Sequence, residues 1–525
     1  MNYIESEIRL NFLMLNSKAI NSRIFFSICF NIFRSGIVFY TNIFIAKKIG
    51  PSVFGDLTFL LGSFLALRNF LDMGSSSAFF TFLSKRARGK KFHFLYILNL
   101  LTQFSLVILF IWIILPSNIF NEVWIGHGRS IVTLSFLAIF FQQYIWQSLI
   151  QIAEAYRESV KIQIINLIIA IFYFLTVFIT SKFNLLSLER IFILSITIYS
   201  LGIFSTLLFL KKYFIFDKFD NSTYKDIIFE YVNYCKPLFF LLLIGFIYDF
   251  SDKWMLQKYA GSTEQGFFQI ANQFSALSLL ATTSVLNIFW KEISDLREKN
   301  NFLKIEIFYK KMSHTLMALS TVIVGIFIPW SQDIVSFCLG SLYANAWPVF
   351  MILLLYPIHQ SMGQLGGVMF LASGDTRRYM IVSTLIMILS IPITYILLAP
   401  NSDYFIHGFN LGSLGLAVKA VIVGIVSVNI QSYYLCRFNN FKFEWYFQAL
   451  GIPVILGLSF FLKSLCEYII IFMGLNVFFA FAVFVLFYIL SVTILFLRFP
   501  KIIGFENNDL KRGLEKLNGY IAKRN

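Results

Sequence analysis

Charged residues are scarce in this chain: Asp, Glu, Lys and Arg make up 13% of its 525 residues, while 58% are hydrophobic. A set of soluble domains carries roughly a quarter charged residues, so that balance excludes one. Cysteine is scarce as well. Cys29, Cys235, Cys338, Cys436 and Cys466 are odd in number, widely spaced and without a CxxC pair, which excludes a disulfide framework or a thiolate zinc site. No GxxxxGK[ST] run occurs, so direct use of ATP through a phosphate-binding loop is excluded. No cofactor or metal is expected. The outer connections between apolar runs are also too short to fold as a domain, which argues against chemistry on a large soluble substrate.

What the chain has is apolar length, with a mean hydropathy of +0.74. Runs of 18 or more apolar residues read as transmembrane spans. Fourteen are expected, near 24–45, 54–81, 92–115, 131–150, 162–180, 190–210, 237–257, 266–290, 312–330, 346–371, 379–399, 411–435, 446–462 and 468–497. The 64 Phe residues suit lipid-facing helix surfaces. A net charge of +16 does not gather into a basic face for nucleic acid. It is distributed by topology: of the 43 basic residues, 32 fall in segments assigned inside and 7 outside, and Arg34, Arg68, Lys253 and Lys419 lie within spans. That bias places both termini in the cytoplasm. The run from Ile24 is too long for a signal-peptide core and lacks a small-residue cleavage site, so it reads as an uncleaved first span.

Two segments 211 positions apart read as one element: Ala46-Lys-Lys-Ile-Gly-Pro-Ser-Val-Phe-Gly55 and Gln257-Lys-Tyr-Ala-Gly-Ser-Thr-Glu-Gln-Gly266. Each joins two apolar runs and sets paired glycines five positions apart. The chain therefore reads as duplicated, and a membrane protein of two like halves suits a transporter that rocks about a shared site. The expected organisation is an N-terminal half (1–210, spans 1–6), a cytoplasmic linker (211–236), a C-terminal half (237–435, spans 7–12), two extra spans (436–497) and a basic tail (498–525). Pro237 is expected to open span 7, where a missing N–H costs least. The fold class is all-α integral membrane, two pseudo-symmetric six-helix halves plus two helices.

Lys48-Ile-Gly-Pro-Ser-Val-Phe-Gly55, Leu71-Asp-Met-Gly-Ser-Ser-Ser-Ala78, Pro237, Ser251-Asp-Lys-Trp-Met-Leu-Gln-Lys-Tyr-Ala-Gly261 with Gly266, and Ala372-Ser-Gly-Asp-Thr-Arg377 occur in an order and spacing that carry a resemblance. The chain resembles the Wzx-type O-antigen flippases, the polysaccharide-transporter branch of the multidrug/oligosaccharidyl-lipid/polysaccharide exporter superfamily. Many relatives look like twelve-span proteins, and the two further spans make the chain similar also to lipid II flippases. The resemblance implies a non-enzymatic, multi-pass inner-membrane transporter of lipopolysaccharide biosynthesis. It would move an undecaprenyl-pyrophosphate-linked oligosaccharide from the cytoplasmic to the periplasmic leaflet, with membrane lipids and other polysaccharide-assembly proteins as partners.

Ionisable residues inside spans are functional candidates by default. Arg34 lies roughly 15 Å into span 1 at 1.5 Å per residue; it has no partner at i±3 or i±4 and is expected to face water or an anion. Arg68 and Asp72, four apart, form either a hidden salt bridge or part of a site. Asp249, Asp252 and Lys253 in span 7 read the same two ways. Lys253 is offset by 211 from Asn42, so the charge is not duplicated. Lys419 in span 12 joins the cations or snorkels to the outer interface. Gln143, Gln147 and Gln151 recur at i+4 with Trp146 beside them, and Gln360 and Gln364 recur in span 10. Amides and an aromatic face suit a sugar, and they also suit interhelical hydrogen bonding. In the substrate reading Arg34, Arg68, Lys253 and Lys419 meet the pyrophosphate while the amides and Trp146 hold sugars. Asp72, Asp249, Asp252 and His359 are the candidates for proton coupling.

Two other readings remain open at this level. A drug or cation antiporter of the same superfamily should present acids to its ligand, whereas the deepest polar residue of span 1 is Arg34. A polytopic O-antigen polymerase or ligase needs a reactive outer loop, and only Glu122, His127 and Arg129 cluster in one.

Overall fold

The computed structural model describes the backbone of residues 2–86, 88–210, 220, 222–299, 301–372, 376–401, 407–473 and 477–500. The basic tail beyond 500, the whole of 211–219 in the linker and residues 373–375 of the Ala372–Arg377 motif lie outside the described residues. Among the described residues there is no strand. In chain order the helices are α1 (Asn2–Asp72), α2 (Ser75–Lys85), α3 (Lys90–Leu109), α4 (Ser117–Val123), α5 (Arg129–Ile139), α6 (Trp146–Ala155), α7 (Ser159–Lys182), α8 (Leu188–Leu210), α9 (Tyr224–Cys235) and α10 (Phe239–Glu298). They continue with α11 (Phe302–Phe327), α12 (Ser331–Leu339), α13 (Trp347–Leu353), α14 (Tyr356–Ala372), α15 (Thr376–Leu398), α16 (Gly412–Phe438), α17 (Ile452–Met473) and α18 (Val477–Arg498).

Ten of these stretches are long and apolar enough to cross a membrane, eleven if the pair Ser341–Leu353 and Tyr356–Phe370, bent by 41°, is one span. The expected fourteen are not reproduced one for one, for local reasons. Spans 1 and 2 run within α1, which is broken at Gly50 (φ 79°, ψ 169°), and spans 7 and 8 run within α10, broken at Gly261 (φ 83°, ψ 176°). This combination of angles is essentially restricted to glycine, and Pro51, which lacks an N–H to donate, starts the next helical segment in α1. Span 4 is divided among α5, a wide π turn at Phe140–Ile145 and α6. Span 10 is the bent pair.

The chain divides into two compact units, Met1–Gly266 and Phe267–Asn525. In the first, α1 packs on α5 and α7, where Tyr40 and Phe44 set their rings 5.5–6.2 Å from those of Phe174 and Phe178. A second layer forms from α2, α3, α6 and α9 around Phe79, Phe92, Tyr96, Trp146 and Ile162. Helix α9 stands where the sequence suggested only a linker. Thr223 and Asp226 exchange side-chain and backbone hydrogen bonds at its start, satisfying N–H groups that the first turn leaves free. The Lys236-Pro-Leu238 turn then leads into α10.

The second unit builds on Phe289, Ile305, Leu316, Leu365 and Leu435, contributed by α10, α11, α14 and α16. The two further C-terminal helices dock onto α11 at one glycine. Ser459 of α17 donates its hydroxyl to the Gly325 carbonyl, and Tyr488 of α18 fills the space a Cβ on Gly325 would take. Large apolar side chains such as Phe204, Phe461 and Ile494 remain exposed, as lipid-facing surfaces require. Phe54, Phe59 and Phe79 are fully buried, so phenylalanine supplies core as well as lipid face.

Candidate substrate-binding site

Three of the four cations expected to meet the pyrophosphate, Arg34, Arg68 and Lys253, belong to the first unit. Arg34 donates from Nε (3.3 Å) and Nη2 (2.9 Å) to Asn31 Oδ1. This corrects the expectation of no partner one turn away, because a neutral amide occupies i−3. The guanidinium also acts electrostatically on Tyr199 of α8. Arg68 stands over the Tyr144 ring, 5.6 Å from its centroid, and makes no ion pair with Asp72. The reason is local: α1 ends at Asp72, and the chain turns through Met73 (φ 47°) and Gly74 (φ 83°). That turn brings Ser75 Oγ, Ser76 N and Ser76 Oγ to donate to the carboxylate at 2.8–3.0 Å. Lys253 donates to the carbonyl of Asp249, not its carboxylate, at 3.1 Å. Its stem lies over Gly62, where a Cβ would stand 2.8 Å from Lys253 Cδ and Cε. Each of the three cations therefore rests on neutral groups, and among the described residues none is ion-paired to a carboxylate.

The amide stripe is reorganised by the π turn. A wider turn rotates the following residues, so Gln142, not Gln143, reaches across to donate to Tyr199 Oη at 3.0 Å. Trp146 is 2% exposed and gives its N–H to Asn166 Oδ1 at 3.3 Å, which sets it in the core beside Tyr199, centroids 6.4 Å apart. Gln143, Gln147 and Gln151 are half-buried; Gln151 Oε1 is buried without a hydrogen-bond partner among the described residues. Arg34, Gln142, Tyr199, Trp146 and Asn166 thus form one polar group drawn from α1, the π turn, α6, α7 and α8. Arg68, Tyr144 and Asp72 form another with Tyr96, whose hydroxyl pairs with Ser148 Oγ at 2.9 Å. Asn31, Gln142, Asn166 and Tyr199 are not among the sequence candidates, which single out amides recurring at i+4 and include no tyrosine.

In the second unit Lys419 is 1% exposed, so it does not snorkel outward as one reading had it. Gln360 and Gln364 lie half-buried on α14. His359 neighbours Gln448, whose amide exchanges two 2.9 Å hydrogen bonds with Asn429. Asp249 and Asp252 are half-buried on α10 in the first unit.

The duplicated elements meet inside the first unit. A Cβ on Gly55 would stand 1.7 Å from the Ser262 carbonyl oxygen, and one on Gly266 would stand 2.1 Å from that of Pro51. Beside this contact Asp56 Oδ1 accepts from Ser262 Oγ (2.5 Å) and Gln257 Nε2 (3.0 Å), with His127 Nε2 3.3 Å away at ion-pair distance. The outer-loop cluster is dispersed: His127 goes to Asp56, Arg129 donates to the Trp112 and Leu115 carbonyls, and the Glu122 carbonyl accepts from Trp254.

In the α2–α3 connection, Arg88 donates to both oxygens of Glu230 on α9 (3.0 and 3.2 Å) and stands over the rings of Phe82 and Phe92. The Gly89 N–H donates to Asp220 at 2.8 Å. The Ser222 hydroxyl, foremost, holds the Asp220 carboxyl below its ordinary value.

Comparison with known proteins agrees with this architecture. The family described as polysaccharide biosynthesis protein matches residues 21–289, over half of the chain. No curated protein matches. Among solved structures, a lipid II flippase, MurJ, in an inward closed conformation is similar at 18% identity and a TM-score of 0.64, over 90% of this chain and 99% of that one. An inward-facing multidrug resistance MATE transporter follows at 15% identity and 0.58, over 77% and 94%. A MOP superfamily transporter from Pyrococcus furiosus shows 13% identity and 0.53, over 80% and 95%. The chain belongs to the polysaccharide biosynthesis protein family, and it is a multi-pass membrane protein with the all-α fold of MOP superfamily transporters.

Proposed function

We propose that this protein flips an undecaprenyl-pyrophosphate-linked oligosaccharide, an O-antigen or similar repeat unit, from the cytoplasmic to the periplasmic leaflet of a bacterial inner membrane. The observation that carries the reading is the set Arg34, Arg68 and Lys253, three half-buried cations held on neutral groups. A cation taken from water without a counter-ion is costly, and an anionic headgroup supplies one. Gln142, Gln143, Gln147 and Gln151 supply neutral donors and acceptors for sugar hydroxyls; Gln360 and Gln364, within the second unit by itself, offer the same chemistry. Lys419 is a further cation for the headgroup. Trp146 acts from behind, holding Asn166 and Tyr199 in place.

The protein acts as a transporter and not as an enzyme, with both termini cytoplasmic, membrane lipids around it and other polysaccharide-assembly proteins as partners. With the cell interior negative, outward movement of the headgroup is favoured by roughly 2.3 kcal/mol per charge per 100 mV. Resetting the carrier is the step left for ion coupling. Asp72 is committed to the start of α2, which leaves Asp249, Asp252 and His359 as the proton-binding residues.

Deletion of the gene in its host, followed by analysis of extracted lipids and surface glycan, tests this reading. Loss of surface glycan with the lipid-linked oligosaccharide accumulating inside supports it. Unchanged glycan with altered resistance to cationic drugs would replace it with a cation antiporter.

A further inference from the structure

The connection 115–128, which carries α4 and which the charge bias of the sequence sets outside, lies where the two duplicated elements meet. Three side chains fasten it there. Trp124 donates from Nε1 to Ser63 Oγ of α1 at 3.3 Å and stacks on Phe64, centroids 5.5 Å apart. Trp254 of α10 donates from Nε1 to the Glu122 carbonyl at 2.8 Å. His127 is buried between two exposed glycines, Gly126 and Gly128, with its ring 6.5 Å from that of Phe59 on α1. A Cβ on either glycine would meet nothing within 4 Å, so neighbouring atoms do not grip the backbone here. The His127 side chain carries the contact.

That contact depends on charge. His127 Nε2 is buried and has no hydrogen-bond partner among the described residues; Asp56 Oδ1 faces it at 3.3 Å. The same oxygen already accepts from Ser262 Oγ and Gln257 Nε2 of α10. A neutral ring can offer it at most a third, weak hydrogen bond, whereas an imidazolium adds an ion pair. Histidine is the side chain whose charge changes between about pH 5 and 8. The other charged groups of these elements are placed differently. Lys48 stands over Phe44, Arg129 over Phe120 and Lys258 over Trp254. Glu122 is exposed and meets α10 through its carbonyl, and Glu264 is half-buried two positions beyond Ser262.

We infer that His127 is a pH-responsive latch. Protonated, it holds the 115–128 connection on Asp56 and so fastens the α1 joint to the α10 joint; neutral, it lets the connection lift. In a transporter that opens on this side, acid outside would hold the joint and a neutral or alkaline outside would free it. That consequence rests on the flippase reading above, while the latch itself does not. Neither Asp56 nor His127 is among the residues assigned there to cargo or to proton coupling.

Hydrogen exchange of the purified full chain in phosphatidylcholine nanodiscs tests the latch, read at about pH 5.5 and about pH 8 and corrected for the intrinsic pH dependence of amide exchange. Protection of peptides spanning 120–128 and 256–264 should fall at least threefold at the higher pH, while 225–235 on α9 stays constant. His127→Gln, which keeps a neutral polar side chain, should show the weaker protection at both pH values, with 225–235 unchanged as the check on folding. Asp56→Asn should abolish the pH difference whatever its baseline. Equal protection of the wild type at both pH values, or a difference that survives His127→Gln, would overturn the inference. The expected pH effect in a protein whose deletion leaves surface glycan unchanged would keep the latch and remove only the flippase reading.

Discussion

Gly55 and Gly266 occupy equivalent places in the two duplicated elements and pack reciprocally, each against the residue that opens the other's kinked turn, Ser262 and Pro51. The offset of 211 relates Pro51 to Ser262 as it relates Gly55 to Gly266, so the contact is a local two-fold built from backbone. A side chain on either glycine would collide with a carbonyl group, which cannot move aside as a flexible side chain can. Gly55→Ala and Gly266→Ala should each destabilise the protein by about 1–3 kcal/mol or more. Gly245→Ala, where a Cβ meets nothing within 4 Å, should leave the unfolding midpoint in detergent unchanged. Equal midpoints for all three variants would sink this account of the contact.

The kinks make a separate prediction. Gly50 and Gly261 hold angles that cost a side-chain-bearing residue about 1–3 kcal/mol. Gly261→Ala has open space around its Cβ, so any loss of stability there reports backbone strain alone, measured by the same thermal shift.

The ion pair on α9 can be read by hydrogen exchange. Arg88 is almost fully buried while Glu230 is partly exposed, so solvent discounts the value of the pair. Arg88→Ala should cost about 1–3 kcal/mol and speed amide exchange across 224–235 selectively. Asp220 adds a pH signature. Its carboxyl is held below the ordinary 3.8 first by the Ser222 hydroxyl, which outweighs the opposing desolvation, and then by the Gly89 N–H. Its contribution is therefore complete above about pH 4 and is lost only as the pH falls through the lowered value. Exchange at Gly89 should be insensitive to this group between about pH 5 and 8 and accelerate in stronger acid; Asp220→Asn should remove that acid limb.

Docking of the last two helices depends on Gly325. Gly325→Val would strike the Tyr488 hydroxyl and displace α18 from α11. Cys466 on α17, 5% exposed, should then react with maleimide at least several-fold faster, while Cys29 in the first unit keeps its rate. An unchanged Cys466 rate would show that α17 and α18 are held elsewhere.

Much of this architecture was legible because apolar length and duplicated glycines are strong signals. The paired glycines mark a joint in each half, but residue type does not tell that Gly50 and Gly261 carry the break while Gly55 and Gly266 carry the close packing. Helix α9 was hidden by the lysines around it, although Thr223 and Asp226 already spelled a capping pair. The amide stripe of Gln143, Gln147 and Gln151 was drawn with a regular period, which the π turn at 140–145 breaks, so the contact falls to Gln142. Asp72 looked like a partner for Arg68 because spacing cannot show that a turn through Met73 and Gly74 brings two serines closer. Arg88 and Glu230, 142 positions apart, leave no trace in any local pattern.

The central claim is that Arg34, Arg68 and Lys253 await an anionic headgroup. The most direct measurement reconstitutes the purified chain in liposomes carrying a prenyl-pyrophosphate-linked disaccharide and follows its passage between leaflets with an impermeant sugar-oxidising reagent. The wild type should accelerate transfer, Arg34→Ala and Arg68→Ala should each lower the rate at least tenfold at equal folded protein, and Arg34→Lys should retain part of it. Transfer by both alanine variants at the wild-type rate would contradict the account.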